Sequence, residues 1–86
     1  MSTTIMEAQL KDALDRDRDL AARGCYAAIT PPSGVVVERR GRMLATWHWR
    51  SGGFELHRPG TSDPVVKVET VAEALHRTRE HVCPQT

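Results

Sequence analysis

His48, Glu55 and His57 are the residues of this chain best suited to chemistry: two imidazoles and a carboxylate, spaced to share one side of a strand pair. Imidazole changes charge near neutral pH, so two of them can exchange protons with a substrate, and Arg50 beside them would hold a phosphate. Such a set would cleave RNA if the fold enclosed it. A flat sheet offers no enclosure, so the expectation is a non-catalytic protein without catalytic residues. His76, His81 and Cys83 are metal-ligating types near one helix end. Helical zinc pairs are spaced i,i+4, which sets both imidazoles on one face. The i,i+5 spacing here does not, a fourth ligand is lacking, and no metal is expected. Gly52-Gly53 reads as hairpin punctuation, while Gly24, Gly34, Gly41 and Gly60 stand alone. The sequence therefore has no glycine-rich phosphate loop, and no cofactor is expected.

The stretch from Gly34 to Pro59 must position these groups, and its alternation predicts an antiparallel meander. A two-residue turn at Arg40-Gly41 would pair Glu38 with Met43 and set Glu38 on the face of Trp47 and Trp49. A three-residue loop, Arg39-Arg40-Gly41, avoids this and puts Gly41 where a Cβ is unwelcome. It predicts Val37 opposite Met43, Val36 opposite Leu44, Val35 opposite Ala45 and Glu38 opposite Arg42. A second turn at Ser51-Gly52 sets Trp49 opposite Phe54, Trp47 opposite Leu56, His48 opposite Glu55 and Thr46 opposite His57. One face then carries Val35, Val37, Met43, Ala45, Trp47, Trp49, Phe54 and Leu56. The tryptophans could stack on bases or sugars, but each indole can bury about 150–250 Å², so this face reads as core. The other face carries Val36, Glu38, Arg42, Leu44, Thr46, His48, Arg50, Glu55 and His57. A slip of one residue would exchange the two faces.

Around the meander, Thr4-Ile5-Met6-Glu7 fits a capping box with Thr4 as N-cap. Met6, Leu10, Ala13, Leu14, Leu20 and Ala21 recur at helical spacing, predicting one helix that closes at Gly24. The run Asp15-Arg16-Asp17-Arg18-Asp19 reads as a solvated face with Lys11–Asp15, Asp12–Arg16 and Asp19–Arg23 pairs. Cys25 to Thr30 suits a short edge strand, Pro31-Pro32-Ser33-Gly34 a break, and Pro59 to Pro64 a turn or exposed loop. Val65 to Val68 suits a last strand. Thr70-Val71-Ala72-Glu73 is a second capping box, followed by a stripe of Val71, Leu75, Thr78 and Val82 that ends at Pro84. The fold class is α+β: an N-terminal helix, an antiparallel three- to five-stranded meander and a C-terminal helix, with the helices packed on one sheet face. Residues 1–86 form a single domain.

A hydrophobic fraction of 40% and a charged fraction of 27% are globular values. The longest apolar runs fall far short of the roughly 20 residues that span a bilayer, and the start lacks a signal-like segment. These features predict a cytoplasmic protein with no membrane partner, and Cys25 and Cys83 as thiols. The net charge of +1 conceals a gradient, because residues 34–67 carry six basic and three acidic groups. Val36 and Leu44, exposed inside a rim of Arg39, Arg40, Arg42, His48, Arg50 and His57, would make a partner-binding surface. The expected function is a small regulator, inhibitor or adaptor on a protein or nucleoprotein partner. Duplex DNA contacted by the sheet or the turn-tip arginines is the alternative, and a His-dependent RNase a third reading. A strand edge or the Val36/Leu44 patch would also serve a homodimer.

Overall fold

Strand phase organises the molecule. The computed structural model describes residues 5–30, 34–60 and 64–82. Its elements are α1 (Ile5–Arg16), α2 (Arg18–Ala22), β1 (Cys25–Ile29), β2 (Val35–Arg39), β3 (Arg42–Arg50), β4 (Gly53–His57), β5 (Pro64–Val68) and α3 (Val71–Val82). The strands lie side by side in chain order as one antiparallel sheet. The helices pack on one face of it, where Leu10, Leu14 and Leu20 meet Val35, Val37, Trp47, Phe54 and Leu56. Trp47 is fully buried, edge-on to Phe54, and Trp49 is half-buried against the same ring. No helix among the described residues is long and apolar enough to cross a membrane.

The Ser51-Gly52 hairpin has the register expected of it, from Thr46–His57 through Trp49–Phe54. The first hairpin corrects the expectation. Its turn is the two-residue Arg40-Gly41, with φ of 55° and 77°, the doubly positive signature of a type I′ turn. Arg39 is paired with Arg42, Glu38 with Met43, Val37 with Ala45 and Val36 with Thr46. The register shifts between Val37 and Glu38, making Leu44 the extra residue of a β-bulge. The bulge restores the phase that the short turn would otherwise invert, which removes the objection to that turn. Glu38 stays off the core face, Met43 is exposed, and Leu44 turns toward the core beside Ala45. The Leu44 carbonyl meets His81 Nε2 of α3 at 3.3 Å.

The N-terminal helical segment also departs from expectation, because it breaks at Asp17. Asp17 is buried, caps α2 by accepting from Leu20 N–H at 3.0 Å, and receives the guanidinium of Arg79 from α3. One aspartate of the charge run is therefore a three-helix junction, not part of a solvated face. The Arg79 hydrogen bond holds its carboxyl below the usual range. Lys11–Asp15 and Asp12–Arg16 form as expected, at 2.6 and 3.3 Å. Asp19 instead lies 3.9 Å from Arg79. Asp15 also accepts from Ala27 N–H on the outer edge of β1, which helps close that edge to another strand. At α3 the cap half of the expected box forms, with Thr70 Oγ1 accepting from Glu73 N–H at 3.1 Å, while the Glu73 carboxylate accepts from Glu69 N–H at 3.4 Å and from the Thr70 hydroxyl at 3.3 Å. Thr78 accepts from the Trp47 indole N–H at 2.8 Å and donates to Ala74 O, fixing α3 on the sheet. Thr4 and Cys83 lie outside the described residues; Cys25 is buried in β1.

Candidate partner-binding surface

The face away from the helices is built from cross-strand pairs of β3 and β4: Thr46 with His57, His48 with Glu55, and Arg50 with Gly53. Glu55 is its electrostatic centre. Its carboxylate lies 3.8 Å from Arg50, 3.8 Å from Lys67 of β5 and 3.4 Å from His57 Nε2. The side chain of Glu55 is largely covered while Arg50 and Lys67 remain open to solvent, so the acid damps the positive charge without removing it.

His48 and His57 meet edge to face, with ring centroids 5.4 Å apart. His48 Nδ1 and His57 Nε2 are buried without a hydrogen-bond partner among the described residues; the approach of His57 Nε2 to Glu55 is not aligned for one. Burial holds the His48 imidazole below its usual pKa, and the charges of Arg50 and His57 push the same way, against Glu7 and Glu55. The ring sits on Gly34, where an added Cβ would lie 2.8 Å from His48 Cε1. Gly34 also has φ of 121°, so both the backbone and the ring above it require glycine.

Beneath this site, α1 contributes a buried carboxylate. Glu7 accepts from Gly34 N–H at 3.0 Å and from Trp49 N–H at 2.9 Å. Strand β2 begins at Val35, opposite Trp47, so Trp49 runs past the end of its neighbour and its N–H needs another acceptor. Glu7 fits the helix-start pattern in sequence, but this tertiary clasp is legible only once the strand ends are known.

The cations surround two clefts. One, of 320 Å³, is formed by Met43, Thr46, His48, Arg50 and His57 with the Arg58-Pro59-Gly60 segment. A flat sheet was expected; the turn after β4 supplies the missing wall. The other, of 480 Å³, lies at the β2–β3 tip between Arg39, Arg40, Arg42 and Leu44. Three corrections to the expected surface follow. Val36 is buried, at 8% exposure, between Ala28 and Thr46 on neighbouring strands. Leu44 is turned toward the core by the bulge, and Arg42 lines the tip cleft with it, apart from His48 and Arg50. The exposed apolar centre is thus Met43, not a Val36/Leu44 patch. Alternation alone sets Met43 on the core face, and the bulge that puts it outside leaves no composition signal.

No group of three or more metal-ligating side chains suited to an ion occurs among the described residues. The imidazoles touch each other instead of bracketing a space for a scissile bond, which is poor geometry for acid–base cleavage. Compared with known proteins, the chain matches no family model, no curated protein and no solved structure.

Proposed function

We propose that the chain is a small non-catalytic regulator or adaptor that docks on a nucleoprotein through its cationic sheet face. The observation that carries this reading is the division of labour between the two sides of the sheet. The described helices all serve the core face, while on the other Arg50 and Arg58 line an open cleft and Lys67 approaches Glu55 beside it. Phosphate backbones are the densest anionic surfaces a protein meets, and a face of this charge suits them better than it suits a neutral partner. A cytoplasmic location goes with this reading.

Titration of ¹⁵N-labelled protein with a duplex oligonucleotide at low salt tests it. The amides of Thr46, His48, Arg50, Glu55 and His57 should shift together, while those on the exposed side of α3 stay in place. Unmoved spectra, or shifts confined to the helices, would reject the reading.

One observation favours a second reading, a His-dependent RNase: His48 and His57 share their cleft with Arg50 and Arg58. If purified protein cleaves RNA, His57→Ala should abolish the activity; cleavage unchanged in the variant disposes of this alternative.

A further inference from the structure

We infer that the β2–β3 hairpin tip is a clamp for nucleic-acid phosphates, formed by Arg39, Arg40 and Arg42. The inference rests on the nucleoprotein-docking reading and assigns its main contact to a different place from the sheet face.

Three features of the tip work against stability, and they coincide. Arg39 and Arg42 are direct cross-strand partners, so two guanidinium groups start from opposed positions where like charges repel. Arg40 holds φ of 55°, a left-handed conformation that type I′ turns normally give to Asn, Asp or Gly. The equivalent position of the second hairpin, also left-handed, carries the small Ser51. No carboxylate among the described residues forms an ion pair with any of the three arginines. The nearest acid in sequence, Glu38, faces the other way, toward its β1 partner Tyr26, whose phenol it holds above the usual pKa.

A stretch that breaks several local rules at once without internal compensation is where an external ligand supplies the compensation. The ligand must be anionic and must satisfy several planar donors together. Phosphate oxygens accept the forked guanidinium pattern in pairs, and a duplex presents one charge for about every 1.7 Å of its axis. Leu44 gives the cleft an apolar floor, held by its carbonyl contact to His81. The two-residue turn sets Arg42 and Leu44 on the side of Arg39, and the bulge then sends His48 and Arg50 to the other. Arg50 and Lys67, both drawn toward Glu55, lack the uncompensated charge of the tip.

Fluorescence anisotropy with a labelled duplex DNA, read between about 50 and 200 mM salt, separates the tip from the face. The proteins compared are wild type, Arg39→Gln/Arg42→Gln and Arg50→Gln/Lys67→Gln, each shown by circular dichroism to be folded. The tip variant should bind more weakly on every duplex sequence, with a plot of log affinity against log salt shallower by roughly 2, about 0.9 for each lost phosphate contact. The face variant should change less. A tip variant with wild-type affinity and slope, beside a face variant that has lost binding, would overturn the clamp and leave the docking reading standing. Absence of wild-type binding at the lowest salt would overturn both. Tip-dependent binding of a labelled poly-glutamate peptide without DNA binding would overturn the clamp in favour of an acidic protein partner.

Discussion

At the scale of single residues, the candidate surface depends on two groups placed beneath it, Glu7 and Gly34. Each Glu7 carboxylate oxygen accepts one backbone N–H at the open end of β2. Glu7→Gln keeps the shape but turns an NH₂ toward one of those donors. Urea denaturation should show a loss of about 1–3 kcal/mol, the cost of stranding a buried polar group. Stability unchanged within error would mean that the clasp is idle. His48 makes the surface sensitive to acid. Its folded pKa lies below the unfolded value of about 6.5, so the unfolded chain binds the proton more readily. Stability should be level above that pH and decline as pH falls through the lowered folded value. Asp17, also lowered, adds a second loss as pH falls below about 4. In His48→Gln the first decline should vanish from the pH–stability curve and the second should remain; a first decline that survives would assign it to another group. The orientation of His48 could be read in the sequence from alternation alone. Its neighbours could not, because the glycine below it and the acid beneath that come from segments 14 and 41 residues away in the chain.

At the scale of elements, the sequence predicted elements well and junctions poorly. Helical spacing from Met6 to Ala21 indicates helix, and so does the charge run inside it; nothing local marks Asp17 as a break. Its cause is tertiary: Arg79, 62 residues away, and the capped α2 turn both draw on the Asp17 carboxylate. Asp17→Ala should cost roughly 2 kcal/mol, about half from the lost cap and the rest from the Arg79 pair. The pair is given a modest share because the Arg79 side chain is 41% exposed. Asp17→Asn keeps a capping oxygen and should lose about half as much; equal losses would mean that the cap contributes nothing. The first hairpin shows the complementary failure. Face alternation correctly demanded that Glu38 avoid the tryptophan side, but a longer loop was only one way to achieve it. A bulge achieves it too, and the choice between them depends on twist and on the αL turn, which sequence alternation does not encode.

At the scale of the whole molecule, charge is separated along the sheet. The core face is capped by helices with near-balanced charge, the outer face holds Glu55 among its cations, and the tip holds arginines alone. The concentration of basic residues between 34 and 67 was legible in the sequence. The division of those residues between a damped face and an undamped tip was not, since it follows from the bulge at Leu44. If the tip is kept for binding, removing its arginines should strengthen the fold as it weakens the contact. Thermal unfolding of Arg39→Thr/Arg40→Asn/Arg42→Thr measures this directly. Relief of the opposed charges and an asparagine in the left-handed turn should add about 1 kcal/mol, a rise in Tm of roughly 4–8 °C for a domain of this size. A variant that melts below the wild type would show that the three arginines stabilise the hairpin themselves, and would contradict the assignment of the tip to an anionic partner.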